Sequence, residues 1–130
     1  MRVKDRLMRT IRSGLHTLVI LNLLEREGVS YGYRLMVRIR EVSGGVLSPS
    51  ESTVYETLKL LERMGLIESF WGEGARHPRK FYRITEEGKE VLSQLNEEVR
   101  SILKVLEGLL RWSDGSPLGS DNGSSYVGSG

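Results

Sequence analysis

The sequence predicts a mainly α chain with one small β-hairpin, and three observations carry that prediction. Apolar residues recur at helical spacing in four separate stretches. Between the third and the fourth the pattern changes to LIESFW and RKFYRI, rich in aromatic and β-branched residues and separated by a loop with Gly72, Gly74 and Pro78. Glycines and short hydroxyl side chains punctuate the ends of these stretches. The predicted order is three helices, a two-stranded hairpin and a long final helix.

At 130 residues the chain is one domain at most, able to bury a core but small enough to gain from a partner subunit. Its net charge is +2, unevenly placed: residues 1–112 hold all 19 Lys and Arg against 15 of the 17 acids, leaving that segment at +4. Such a balance permits a polyanionic partner without demanding one. The absence of cysteine excludes disulfides, thiolate zinc sites and cysteine nucleophiles, and favours a cytoplasmic setting. No apolar run approaches membrane-spanning length, so no membrane partner is expected. The N-terminal MRVKDRLMRTIR is basic, but the following LHTLVILNLL is interrupted by His16 and Asn22 and lacks a small-residue cleavage site. It reads as a buried helix rather than a signal peptide.

Residues 15–24 hold seven aliphatics spread around the helical circumference, so this first helix needs cover on several sides, and Gly28 is placed to end it. Ser30 is a candidate N-cap for a second helix, YGYRLMVRIREVS, with Leu35, Ile39 and Val42 as its apolar stripe and Ser43-Gly44-Gly45 as its end. Val46-Leu47 would fit a brief edge strand. Ser48-Pro49-Ser50 starts a third helix running to Gly65, with Val54, Leu58 and Leu61 inward and Ser52, Thr53, Glu56, Lys59 and Arg63 on the opposite face. Thr85 caps the last helix, whose first turn carries Glu86 and Glu87 where the helix dipole favours negative charge. Along that helix Leu92, Leu95, Val99, Ile102, Leu106 and Leu109 alternate three and four apart, the seam of paired helices. Residues 113–130 are Gly- and Ser-rich with almost nothing apolar, and disorder is expected there.

The hairpin tip, WGEGARHPRK, places Arg76, His77, Arg79 and Lys80 together, and no acid falls between Glu73 and Glu86. Three helices, the third polar on one face, followed by a hairpin with a cationic tip form the winged helix-turn-helix arrangement. A helix fits the major groove of duplex DNA and a hairpin beside it reaches the neighbouring backbone. One sign of charge is what a phosphate-tracking element needs.

These residues also resemble the PadR family of transcriptional regulators, in its small form with a single C-terminal helix. The resemblance covers roughly residues 14–110. It rests on Tyr31-Gly32-Tyr33, on Leu47-Ser48-Pro49 with Thr53-Val54-Tyr55, on Leu58, Leu61-Glu62 and Gly65-Leu66-Ile67, and on Arg76 with Arg79 through Gly88 across the wing. In one place the chain departs from the family: Ser50-Glu51-Ser52 lengthens the link between Ser-Pro and Thr-x-Tyr, so the resemblance does not set where the third helix begins. It implies a dimeric repressor on a palindromic operator, with the C-terminal helices forming much of the dimer interface and, in some relatives, a small effector between subunits.

The expected organisation is a DNA-binding domain over residues 1–85, a dimerisation helix over 86–112 and the tail. Candidate base-reading residues on the third helix are Ser52, Thr53, Tyr55, Glu56 and Lys59, Glu56 as an acceptor from a cytosine amino group. Glu51 and Glu62 read instead as a dipole-favoured and an exposed acid. Candidate backbone contacts are Tyr31 and the wing residues Arg76, His77, Arg79 and Lys80. Tyr33 and Trp71 are placed in packing and Trp112 as an end-of-helix anchor. The acids of the third helix, net −1 over residues 51–64, support a competing reading as a protein-interaction module. An enzyme is disfavoured: His16 and His77 lie on unlike elements, and no Walker, H-E-x-x-H or G-x-S-x-G pattern is present. No cofactor and no metal are expected, two histidines without cysteine being a thin ligand set.

Overall fold

The computed structural model describes residues 2–73 and 78–113, together with Gly115. Its elements are α1 (Val3–Glu27), β1 (Ser30–Tyr31), α2 (Gly32–Val42), α3 (Glu51–Arg63), β2 (Ile67–Trp71), β3 (Lys80–Ile84) and α4 (Glu86–Ser113). Two compact units divide the chain within α4, between Leu92 and Ser93.

In the first unit, α1 starts well before the apolar stretch that predicts it. Its N-terminal half is an exposed basic helix with Val3, Leu7, Ile11 and Leu15 four residues apart in solvent, while Ile20, Leu21, Leu23 and Leu24 are buried. Gly28 ends it with φ +86°, a conformation costly for any residue with a Cβ, and its N–H donates to the Leu24 carbonyl.

Ser30 does not cap α2. With Tyr31 it forms β1, pairing antiparallel with Tyr82 and Phe81 of β3, and α2 begins only at Gly32 without a side-chain cap. The pairing turns the Ser30 hydroxyl inward, where it is buried and meets no protein partner among the described residues. The hairpin is thus part of a three-stranded sheet in the order β1-β3-β2. Val46-Leu47 is not a strand. The Ser43 hydroxyl accepts from the Leu47 N–H at 2.9 Å, closing a turn that buries Leu47 and leaves Val46 exposed. Val42 is also exposed, so the inward stripe of α2 is Gly32, Leu35 and Ile39.

The start of α3 is set by Ser50, whose Oγ accepts from the Thr53 N–H at 3.1 Å. Val54, Leu58 and Leu61 then pack into one core with Leu35 and Ile39 of α2, Ile20, Leu21, Leu23 and Leu24 of α1, Leu66, and Ile67 and Tyr82 on the inner face of the sheet. Each such aliphatic side chain contributes about 1.5–3 kcal/mol on burial. Leu60 and Met64, on the flank, are exposed. Thr85 closes the sheet and opens α4 together: its Oγ1 donates to the Gly65 carbonyl at 2.8 Å and accepts from the Gly88 N–H at 3.0 Å. Leu92 is the last α4 residue in this core.

In the second unit α4 continues to Ser113, and its 28 residues span about 42 Å. Of the predicted seam, Val99 is half-buried, while Leu95, Ile102, Leu106 and Leu109 are exposed in the single chain. So are Leu103, Val105, Leu110 and Trp112. The tail from residue 113 lies outside the described residues apart from Ser113 and Gly115.

Candidate nucleic-acid interface

The helical period brings Ser52, Tyr55, Glu56 and Lys59 to i, i+3, i+4 and i+7 of one α3 face, and all four are exposed. Thr53 stands apart from them. It is half-buried, and its hydroxyl accepts from Ser50 Oγ at 2.9 Å within the cap. Glu62 is not the free acid it resembles in sequence: half-buried, it accepts a hydrogen bond from Ser69 Oγ at 2.6 Å and so ties α3 to β2.

The Tyr31-Gly32-Tyr33 run has a spatial reason. Gly32 is buried under the Tyr55 ring, close enough that a Cβ there would stand 2.5 Å from the ring Cζ. Tyr33, by contrast, is 54% exposed rather than packed, because Gly32, Leu35 and Ile39 take the inward positions of α2 and Tyr33 falls off that line. Two α2 arginines are committed elsewhere. Arg38 pairs with Glu27 and Glu41, and Arg40 Nε donates to Ser48 Oγ at 3.2 Å.

Strand alternation sorts the wing into two faces. Ser30, Ser69 and Tyr82 share the core face with Ile67 and Ile84. Tyr82 is 3% exposed, and burial, with Glu62 and Tyr55 nearby, raises its phenol pKa. On the other face Tyr31, Phe81 and Phe70 stand in register across the three strands, with Arg83 two residues beyond Phe81 on β3 and Arg79 just before that strand begins. The Arg79 guanidinium lies over the Tyr31 ring at 4.0 Å from its centroid. Tyr31 meets Phe81 edge-on at 5.7 Å, and Phe81 stacks on Phe70 at 5.9 Å. Arg83 covers Phe70 at 4.8 Å and pairs with Glu68 at 2.7 Å. Gly72 makes room for this row, since a Cβ on it would lie 2.4 Å from Phe81 Cε2, and its N–H donates to the Arg79 carbonyl at 2.9 Å.

Among the described residues no carboxylate forms an ion pair with Arg79 or Lys80. The Lys80 ammonium lies 5.9 Å from the Tyr82 ring centroid. Trp71, opposite Lys80 in register, is 63% exposed and does not pack the hairpin: the aromatic row is built from the other face of the strands. Arg76 and His77 lie outside the described residues. The row itself is a feature the sequence reading missed. Its signal was available in the alternation R-K-F-Y-R, which sets Arg79, Phe81 and Arg83 on one side of a strand.

His16 is buried in α1, and neither ring nitrogen meets a protein partner among the described residues. Burial, and then the Arg12 charge, hold its pKa below the ordinary histidine value. No group of three or more His, Asp or Glu residues among the described residues is placed to hold a metal ion. No described helix is long and apolar enough to cross a membrane.

Comparison with known proteins agrees with this geometry. An uncharacterised protein of Lysinibacillus sphaericus is 30% identical over 100 residues, covering 75% of this chain and 88% of that protein. The Escherichia coli transcriptional regulator YqjI is 35% identical over 85 residues, which are 65% of this chain but only 39% of YqjI. Among solved structures, a transcriptional regulator from Clostridium thermocellum superposes with a TM-score of 0.68 at 37% identity, covering 76% of this chain and 92% of that one. Bacillus subtilis PadR in complex with operator DNA matches at 31% identity and a TM-score of 0.54, over 61% of this chain and 45% of that one. Residues 20–94 match the transcriptional regulator PadR-like family, and the winged-helix fold, the motifs and these relatives together establish that the chain belongs to that family.

Proposed function

We propose that this chain binds duplex DNA as a homodimer and represses transcription from a palindromic operator in the cytoplasm. The observation that carries this reading is a continuous run of contacts from the wing to α3. The Arg79 guanidinium covers Tyr31; the next residue, Gly32, underlies Tyr55; and Tyr55 shares the exposed face of Ser52, Glu56 and Lys59. A cation without a carboxylate partner among the described residues therefore adjoins a polar helix face, the pairing needed to hold phosphates and read base edges together. Bacillus subtilis PadR was solved with operator DNA, which supports the same use here.

In this reading residues 1–85 form the DNA-binding part, with Ser52, Tyr55, Glu56 and Lys59 toward bases. Thr53 supports the start of that helix, and Tyr31, Arg76, His77, Arg79 and Lys80 serve the backbone. Residues 86–112 form the dimerisation helix through Leu95, Val99, Ile102, Leu106 and Leu109, while Leu92, the first residue of the predicted seam, is taken up by the chain's own core instead. The exposed apolar residues of α1 and of α4 support a partner copy covering each of them. Two copies would set recognition helices ~34 Å apart, one turn of DNA. A small effector would act by shifting the dimer away from that spacing.

The test is titration of the purified protein on its own upstream DNA over a range of salt. Nanomolar binding that weakens steeply with salt is expected; no binding at low salt overturns the proposal. The acids Glu51 and Glu56 on the exposed side of α3 favour a second reading, a protein-interaction module. Replacing Arg76, Arg79 and Lys80 with alanine separates the two. Loss of DNA affinity in a folded protein supports the first reading, and unchanged affinity the second.

A further inference from the structure

We infer that Tyr31 is a positioning residue, whose ring holds the Arg79 guanidinium ready for a DNA phosphate, rather than a residue whose hydroxyl contacts DNA itself. This rests on the wing being a DNA-backbone contact, as proposed above.

The row across the sheet has a closed end and an open end. At the closed end Arg83 covers Phe70 and is neutralised by Glu68 at 2.7 Å. At the open end Arg79 covers Tyr31 at 4.0 Å, and among the described residues no carboxylate pairs with it. The rings between are braced one against the next: Tyr31 edge-on to Phe81 at 5.7 Å, and Phe81 stacked on Phe70 at 5.9 Å. Tyr31 is fixed further by its backbone pairing with Phe81, and Gly72 leaves the space the Phe81 ring occupies. The ring under Arg79 is therefore held from behind by three strands rather than swinging with a loop.

An exposed arginine has many rotamers and gives up that freedom when it binds. A guanidinium well inside ~6 Å of a ring centroid is held by the ring's negative face while its N–H edge stays available to an acceptor. Arg79 thus keeps its donors outward and its orientation restricted before DNA arrives, which lowers the entropy lost on binding. The same geometry argues against the row as a stacking platform for bases or a flat ligand, because arginines already cover the two end rings.

The experiment is a double-mutant cycle on full-length protein, with the duplex the wild type selects from random DNA as the probe. Affinity is measured across salt, and folding is checked by circular dichroism. R79A is expected to bind about tenfold more weakly, with a salt slope lower by about 1. Y31F keeps the aromatic face and should stay within about twofold of wild type. Y31L should lose about fivefold, and Y31L/R79A should bind no more weakly than R79A alone.

If Y31F loses as much as Y31L, the hydroxyl is the contact and the inference is wrong. If Y31L costs the same fivefold in the R79A background, Tyr31 acts independently of Arg79 and the inference is again wrong. R79A without effect overturns the wing contact itself, and the inference with it. A second measurement is independent of how Y31L folds. In free wild type and in Y31F the Arg79 Hδ protons should be shifted upfield by the ring current, and random-coil shifts there overturn the proposal.

Discussion

The Tyr55 ring rests on the backbone of Gly32, with the ring Cζ 2.5 Å and the hydroxyl oxygen 2.8 Å from where a Cβ would stand. This contact seats the exposed face of α3 on the first turn of α2, and it explains a glycine between two tyrosines at a helix start.

Gly32→Ala should therefore act on DNA binding more than on folding. The obstructing atoms are the far end of a side chain that is 38% exposed, so the ring can move aside. Stability should change by less than about 1 kcal/mol, alanine being the better helix former, while operator affinity falls several-fold. Tyr55→Ala should produce a similar loss, and the double variant should be no weaker than Tyr55→Ala alone. Thermal melts and DNA titrations on the three variants check this.

Gly88 presents the opposite case. A Cβ there would lie 2.1 Å from the Leu66 carbonyl oxygen, which is held in place by accepting from the Thr85 N–H at 3.0 Å. Backbone cannot swing away, so Gly88→Ala should cost at least about 3 kcal/mol, the upper end for overpacking. Gly14, in the middle of α1 with nothing within 4 Å, is the control. Gly14→Ala should leave stability unchanged or raise it by up to about 1 kcal/mol. Urea denaturation distinguishes the two.

The proposed dimer is tested on α4 by Ile102→Glu. Ile102 is 55% exposed in the single chain, so the substitution leaves the first unit's core untouched. It should halve the mass seen by sedimentation velocity and remove the dependence of melting temperature on protein concentration. An unchanged mass would place the subunit contact elsewhere.

Stability should fall as pH is lowered through the ordinary histidine range. Burial and Arg12 hold the folded-state pKa of His16 below its usual 6.5, so the unfolded chain takes up this proton first. The stabilisation is complete above about pH 6.5 and declines below it, until the folded state is protonated too. His16→Leu should flatten the melting temperature between pH 7 and pH 5, relative to wild type.

Much of the fold was legible because its signals are local. The Ser50 cap acts on Thr53, Thr85 on Gly88, and Gly28 on Leu24, all within four residues. The inward ridges of α2 and α3 likewise follow from spacing alone, except at Val42. By itself the sequence determined the helix order, the hairpin, the cationic wing and the family. What only the tertiary structure decided are relationships between residues distant in the chain. Ser30 became a strand residue because Tyr82 offers it a backbone partner, and Glu62 became a tether because Ser69 reaches it. Tyr33 and Trp71 proved exposed because other residues took the inward positions. Hydrogen-bond periodicity is written into neighbouring residues. The choice of which aromatic packs and which ring an arginine covers is made only when separate elements compete for the same space, as Arg79 over Tyr31 and Tyr55 over Gly32 show.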